Sequence, residues 1–461
     1  MSKKSLLFLL VLALAGGGYY YYHTQIRCSF LYQKKVEVGG SEHRVRSRAA
    51  IEKSGMSFRA LPDWRNAAIL YCKASNDIVK PRGRPDELFS YVAANEWVDD
   101  PEFVSWFDGN AEVLKLIHKA ARKPDAEFPL LGEDDEPVYE MLLPHLSHMR
   151  AFARLLSSEG KRFESQRKYG RALESYFAIT ALADHVRDSN AMLISDLVSI
   201  ACRSIRNRAV ERCMANRPLS EERLRRIIEH YEKLVESPPS FTDCLTREKL
   251  CEDSAVDEAM RNPGEAASVL GMLGAPPGES PSSSRRNGEA LARAITTMGA
   301  EAKAAYERDY AALMKWSELP AWQALRPEND WARYIEGLPN TCIFSKMLLK
   351  ALSPAKKHYA RAEAEEGLVL ITAAIKLYEK KNGRPPASLN DLERGYLSKL
   401  PTDPFSGRSF IYSVRGTDWI LYSVWENLTD DGGAGSVPHK YKEDKDFLFS
   451  SGKIPVSPPP S

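Results

Sequence analysis

The sequence predicts a mainly α-helical protein that begins with a membrane-spanning helix and ends in a small α+β module. Apolar residues recur at intervals of three and four over much of residues 61–355, which is typical of an irregular helical domain. Near the C-terminus, two short strand-like runs flank a glycine turn. At the N-terminus, an apolar run follows two lysines.

Length and composition indicate a folded protein of two or three domains. The chain has 461 residues, of which 43% are hydrophobic and 27% charged, so disorder is not expected. The net charge is +2, and lysine and arginine are spread along the sequence. A nucleic-acid-binding protein needs a concentrated basic face, so we expect no nucleic-acid partner.

The first 23 residues have the pattern of a signal anchor. Lys3 and Lys4 precede the apolar residues 6–15, which are followed by three glycines and by four tyrosines at 19–22. This segment reaches about 17 residues, the lower limit for crossing a bilayer. The lysines favour a cytoplasmic N-terminus, and the tyrosines suit the far interface. We therefore predict a single-pass protein of the inner (cytoplasmic) membrane.

A cleaved signal peptide is the alternative, because Ala13-Leu14-Ala15 has the small-x-small pattern of a cleavage site. Both interpretations place residues 24–461 outside the cytoplasm.

Cysteine usage does not indicate a disulfide scaffold. The chain has seven cysteines, and Cys244 and Cys251 would lie about 10 Å apart along one helix, which is too far for a disulfide. We expect the cysteines to be small buried apolar residues, although a long-range pair stays open.

The middle of the chain predicts helices with identifiable breaks. Residues 24–60 are polar and basic, which indicates a connector or an extended first helix. Residues 149–158 and 169–186 form a predicted helical hairpin, with Gly160 in the break between them. The second helix begins Tyr-Gly-x-Ala-Leu, so the pair resembles a tetratricopeptide hairpin. No second copy follows at a 34-residue period.

Further helices are predicted at 191–216, from Ser220 as N-cap to Pro238, at 288–317 and at 334–352. Residues 262–287 are rich in proline, glycine and serine and predict a flexible loop. The proline-rich tail 451–461 is expected to be disordered.

The predicted α+β module spans residues 356–450. A helix at 361–380 runs into the proline-containing connector 382–386, and Asp403-Pro404-Phe405-Ser406-Gly407 then indicates a turn. Strands are predicted at 410–414 and 419–424 around a turn at 415–418. The predicted core comprises Ile411, Trp419 and Leu421 from the strands and Leu368, Ile371, Ile375 and Tyr378 from the helix.

This order of motifs resembles the C-terminal domain of the type II secretion major pseudopilin, over roughly residues 361–435. The resemblance implies a non-catalytic, membrane-anchored, extracytoplasmic protein with protein partners in the cell envelope and a link to a secretion or pseudopilus-type system. The N-terminal apolar segment lacks the glutamate of a true pseudopilin, and over 300 residues separate it from the module. The whole layout resembles uncharacterised membrane-anchored proteins of planctomycetes and verrucomicrobia.

The resemblance also implies a calcium loop. In major pseudopilins the loop after a Tyr-Ser motif binds calcium through aspartates and carbonyls, and here Tyr422-Ser423 precedes Asp430-Asp431-Gly432-Gly433. Asp430 and Asp431 are thus candidate metal ligands, because Ca²⁺ prefers oxygen ligands. Trp425-Glu426-Asn427 replaces the expected Gly-x-Asp, so an ordinary glycine turn is the alternative. We expect no other cofactor.

No motif in the sequence indicates catalysis. The chain has no Gly-x-Ser-x-Gly, phosphate-loop or dinucleotide-binding pattern. His145 and His148, at i and i+3, lack a third ligand, and the acidic run 133–136 suits a solvated loop better than a cation site. We therefore expect a non-enzymatic protein. The alternative is an extracytoplasmic hydrolase with a dispersed active site that includes His145, His148 and His185.

Overall fold

The computed structural model describes residues 34–56, 59–189, 192–274, 281–433 and 447–452. Within these ranges the chain is mainly helical, with a small three-stranded antiparallel sheet near its C-terminus, so the fold class is confirmed at that level. The predicted anchor at 1–23 lies outside the described residues, as does most of the predicted tail. Among the residues described, no helix is long and apolar enough to span a bilayer.

The predicted connector at 24–60 is wrong over most of its described part. Strands β1 (Lys35–Val38) and β2 (Ser41–Arg44) form an antiparallel hairpin, and α1 (Arg48–Lys53) follows with Ser47 as its N-cap. Gly39 and Gly40 both have positive φ, at 66° and 79°, which lets the chain reverse in two residues. This hairpin is hard to predict from the sequence because it carries several charged residues. Only one valine of β1, Val38, is buried, so the alternation of apolar and polar residues is weak.

Successive helices build the body of the protein between residues 68 and 261. They are α2 (Ala68–Asp77), α3 (Arg84–Ala94), α4 (Pro101–Gly109), α5 (Ala111–Ala121), α6 (His145–Ser165), α7 (Tyr169–Asp188), α8 (Leu193–Asn216), α9 (Glu221–Glu236) and α10 (Phe241–Arg261). The pairs α6–α7 and α7–α8 pack closely, and α5 packs against both helices of the first pair. Helices α8 and α9 match their predictions, and the Ser220 side chain caps α9 by accepting from Arg223 N.

The hairpin α6–α7 is confirmed, but its turn is not at Gly160. Helix α6 continues past Gly160, and the chain reverses at Arg167, whose φ is 57°. A Cβ at Gly160 would lie 2.2 Å from Cε1 of Tyr176. Gly160 is therefore required for the close approach of the two helices, and it does not break α6.

Helices continue through most of the segment predicted as a flexible loop at 262–287. The remaining helices are α11 (Ala266–Gly274), α12 (Pro281–Ser317), α13 (Ala321–Ala324), α14 (Trp331–Glu336), α15 (Ile343–Leu348) and α16 (Ser353–Asn382). Ala266, Val269 and Leu270 of α11 are buried against α12 and its neighbours. The loop prediction is wrong for α11. It is based on the flanking prolines and glycines, whereas these apolar residues favour a buried helix.

Six cysteines within the described ranges are free and buried, which confirms their predicted role as small apolar residues. The helix predicted at 334–352 is interrupted between α14 and α15, where Gly337 ends α14.

Helix α16 joins the helical body to the C-terminal sheet. The predicted domain boundary at residue 355 falls inside this helix, which ends at Gly383 with a φ of 71°. One continuous apolar cluster contains residues of α7, α8, α9, α16 and the sheet. The sheet and the helices therefore share one core.

The C-terminal sheet confirms the predicted strands. Strand β3 (Ile411–Arg415) pairs with β4 (Asp418–Ser423), and β4 pairs with β5 (Phe447–Ser450), all antiparallel. The predicted core forms as expected, since Trp419 and Leu421 are buried while Ile411 is half-buried at its edge. Asp403-Pro404-Phe405-Ser406-Gly407 forms the predicted turn, in which Gly407 N donates to Asp403 O at 2.8 Å.

Candidate functional site: a basic groove

A wide groove lies between α5, α6 and α7, with further contributions from the end of α4 and from α9. It has a volume of about 1070 Å³. Seven lysines and arginines line it, against three carboxylates. The cations are Lys115, Lys119, Arg122, Arg162, Lys168, Arg171 and Arg226, and the carboxylates are Asp108, Glu159 and Glu174.

Helical spacing places the cations on the groove walls. On α5 and its C-cap, Lys115, Lys119 and Arg122 follow one another at i, i+4 and i+7, so they share one face. The opposite face of α5 buries Val113, Ile117 and other apolar residues, which fixes the helix against the core. The basic wall is therefore carried by a rigid element.

Two of the three carboxylates in the groove are engaged by neighbouring groove residues. Asp108 forms an ion pair with Arg162, whose guanidinium also lies over the Phe107 ring at 5.6 Å. Glu159 is shared by two donors, since Nε2 of His118 lies 2.6 Å and Oγ of Ser175 2.7 Å from Glu159 Oε2. The other cations, on the groove walls, therefore carry the net positive charge of the groove.

Glu159, His118 and Ser175 form a cluster whose geometry does not activate Ser175. A nucleophilic serine donates its proton to a histidine that a carboxylate orients. In this cluster the Ser175 hydroxyl donates to Glu159 and also contacts the backbone oxygen of Arg171 at 3.2 Å. The cluster therefore acts as a polar brace between α5, α6 and α7.

The floor of the groove is apolar. Phe163 and Phe177 are half-buried there, next to Ala178 and Ala181. Arg171 lies over the Phe163 ring at 4.1 Å, and His230 stacks on Phe177 with ring centroids 4.0 Å apart. Aromatic faces and small alanines leave room for apolar side chains beneath the cationic rim.

The three histidines of the hydrolase alternative are not among the residues that line this groove, and each of them contacts an aromatic ring. His145 stacks on Phe128 with ring centroids 4.0 Å apart, and burial lowers the pKa of His145 to about 3. His185 contacts the Tyr71 hydroxyl at 3.1 Å and Lys123 O at 3.0 Å, and His148 contacts Pro144 O at 3.0 Å. The rings of His145 and His185 thus have packing roles.

The acidic run 133–136 is tied to the N-terminal hairpin, so it is not simply solvated. Glu133 pairs with Arg44, and Asp134 accepts from Ser47 N at 2.7 Å. Arg46, almost fully buried, donates to the backbone oxygens of Glu136 and Pro137. These contacts fix β2 to the body of the protein.

The candidate calcium ligands form an ordered turn. Asp430 Oδ1 accepts from the Tyr422 hydroxyl at 2.9 Å and from Gly432 N at 2.8 Å, while Asp431 Oδ2 accepts from Asn427 Nδ2 at 2.9 Å. Nearby, where the pseudopilin pattern has Gly-x-Asp, Trp425 is buried. Among the residues described, no group of three or more His, Cys, Asp or Glu side chains is placed to hold a metal.

Calcium binding at this loop stays a prediction. If Asp430 and Asp431 bind Ca²⁺, millimolar calcium raises the Tm of the wild-type protein, and replacing both aspartates by asparagine abolishes the rise, because binding to the folded state alone stabilises it. Equal wild-type Tm values in calcium and in chelator would show that the loop is only a turn.

Only part of the groove can be recognised from the sequence. The basic stripe on α5 is visible at helical spacing, but Arg162, Arg171 and Arg226 reach the same site only through tertiary packing. No protein-family model, curated protein or solved structure matches this chain.

Proposed function

We propose that the chain is a non-enzymatic, membrane-anchored, extracytoplasmic protein whose helical body binds a protein partner of the cell envelope. The basic groove between α5, α6 and α7 carries this proposal. Its three helices are packed into buried apolar clusters, so the binding surface is formed in advance and costs little ordering on association. Its arginines and half-buried aromatic rings are residue types that are enriched in protein-recognition surfaces.

The C-terminal module supports a link to a secretion or pseudopilus-type system. Helix α16 packs on a three-stranded antiparallel sheet, which is the arrangement that the pseudopilin resemblance implies. In this proposal the module docks onto, or caps, another envelope component. The N-terminal segment holds the chain at the membrane.

A site-specific photo-crosslinking experiment tests the proposal. A photoreactive amino acid replaces Lys115 on the groove wall, or Glu301 on an exposed face of α12, in the full chain within an envelope preparation. We expect one discrete cross-linked product from position 115 and none from position 301. The product should disappear when Lys119→Glu and Arg122→Glu are added, because both charges lie on the same wall.

Three outcomes would contradict the proposal. Equal products from both positions would indicate non-specific contact, and no product from position 115 would remove the groove as a binding surface. A chain that alkaline carbonate releases from the membrane would contradict the anchor.

A further inference from the structure

We propose that the groove binds an acidic peptide segment in which carboxylates alternate with apolar side chains. This inference rests on the proposed function and specifies the chemistry of the partner at the same site.

The first argument is the availability of cations. Lys119 and Arg122 are exposed on the α5 wall, and neither forms an ion pair with a carboxylate of the described residues. Lys168 at the N-cap of α7 and Arg171 in its first turn are exposed as well, and Arg226 of α9 is half-buried. Cations from α5, α7 and α9 that line one groove would attract a negatively charged segment lying in it.

The second argument is the state of the carboxylates in the groove. Because Arg162 pairs with Asp108, and because His118 and Ser175 both contact Glu159, two of the three acidic groups are already satisfied. An incoming carboxylate therefore meets cations that the groove itself leaves available.

The third argument is the apolar floor. Phe163 and Phe177 present half-buried rings, and Ala178 and Ala181 keep the floor low. An extended peptide directs successive side chains to opposite sides, so alternate residues could contact the floor while the carboxylates face the rim. Burying apolar side chains on the floor adds a hydrophobic contribution to the charge attraction.

The same features disfavour a nucleic acid or a membrane surface as the occupant. A phosphate backbone is uniformly charged and needs an extended basic face, whereas Asp108, Glu159 and Glu174 lie inside this groove and the chain carries a net charge of only +2. An anionic bilayer is flat, and a concave groove would leave its floor out of contact. A peptide can follow the concave shape and space its charges.

The test uses fluorescence anisotropy on the full chain in neutral detergent. The probe is a labelled nine-residue peptide that alternates glutamate with leucine and phenylalanine. One control peptide carries glutamine at every glutamate position, and a second carries alanine at every leucine and phenylalanine position. We expect the glutamate probe to bind, and both control peptides to bind at least tenfold more weakly.

Variants then locate the binding site. Lys119→Ala with Arg122→Ala should weaken binding of the probe at least tenfold and flatten its salt dependence. The matched control is Lys380→Ala with Lys381→Ala, which removes two exposed cations of α16 outside the groove and should change the affinity less than twofold. Ala178→Leu should fill space at the floor of the groove and weaken binding of the probe, while leaving every charge in place.

Several results would overturn the inference. The first is that the groove variants and the control variant bind the probe with equal affinity. The second is that the glutamine peptide binds the wild-type protein as tightly as the glutamate probe. The third is that an oligonucleotide or an anionic vesicle binds more tightly and displaces the probe. A cross-link from position 115 without any binding of the acidic probe would reject the peptide chemistry and retain the proposed function. Absence of that cross-link would instead reject the proposed function.

Discussion

Replacing Glu366 by alanine is expected to destabilise the protein by about 3–5 kcal/mol, because it leaves two buried guanidinium groups without their shared carboxylate. Arg203 donates to Glu366 through Nε at 2.8 Å and through Nη2 at 2.7 Å, and Arg206 contacts the same carboxylate. The exposed side-chain fractions are 2% for Arg203, 0% for Arg206 and 2% for Glu366. Solvent cannot replace the lost charge.

The pKa of Glu366 supports this expectation. Burial alone would raise it, but the Coulombic attraction and hydrogen bonds of Arg203 and Arg206 outweigh burial and hold the pKa below its usual value. The carboxylate is therefore ionised in the folded protein. Arg206 extends the network by donating to Thr180 Oγ1 at 2.9 Å and to Asn207 Oδ1.

The network connects α8 with α16, and through Thr180 it reaches α7. Because α16 also packs on the C-terminal sheet, the loss of Glu366 should weaken the helical body and the sheet together. A single cooperative unfolding transition should therefore shift as a whole.

Chemical unfolding in urea, followed by circular dichroism, measures this effect. Glu301→Ala, at an exposed position on α12, serves as the control and should change the free energy of unfolding by less than about 0.5 kcal/mol. Glu366→Gln should also destabilise, because an amide removes the charge while keeping the shape. A loss below about 1 kcal/mol for Glu366→Ala would show that water or local rearrangement compensates the two arginines.

The C-terminal module was predictable because its signals are local. The strand runs, the Arg415-Gly416-Thr417-Asp418 turn and the glycine that ends α16 each act within a few residues. Gly160 shows the limit of such signals. A glycine inside a helical pattern suggests a break. At this position, however, the missing side chain makes room for the Tyr176 ring of the next helix, which no local pattern reveals.

The buried ionic network and the groove could not be predicted for a related reason. Arg203 and Glu366 are 163 residues apart, and each lies on a helix whose sequence has charges on several faces. Only packing decides which of these charges is buried. In the groove likewise, the stripe on α5 is local, but its partner wall depends on how α6 and α7 pack against it.

Acid is expected to destabilise the protein through two histidines, of which His145 is buried and His230 is half-buried. Burial, with nearby His148 adding to it, lowers the pKa of His145 to about 3. Burial, with Arg206 and Lys233 adding to it, lowers the pKa of His230 to about 3 as well. His230 Nε2 also contacts the Thr180 hydroxyl at 2.8 Å, so the neutral ring is held in place.

The sign follows from proton uptake. An unfolded histidine binds a proton below about pH 6.5, whereas these two bind one in the folded state only near pH 3. Their contribution to stability is therefore complete above pH 6.5 and is lost as the pH falls toward 3. At pH 4.5 each histidine should lower the free energy of unfolding by about 2–3 kcal/mol.

Carboxyl groups whose pKa is raised contribute with the opposite sign, so the histidine effect must be measured as a difference between proteins. Burial raises the pKa of Glu363 to about 7, and a carboxyl of raised pKa favours the folded state as the pH falls from 7. The variant His145→Phe with His230→Gln removes both titrating rings and leaves Glu363 unchanged. Between pH 7.5 and pH 4.5 the fall in its free energy of unfolding should be smaller than that of the wild type by about 4–6 kcal/mol, the sum for two histidines. Between pH 7 and 8 the free energies of unfolding of the two proteins should differ by a constant amount. If the curves of unfolding free energy against pH stay parallel down to pH 4.5, these rings accept protons in the folded state.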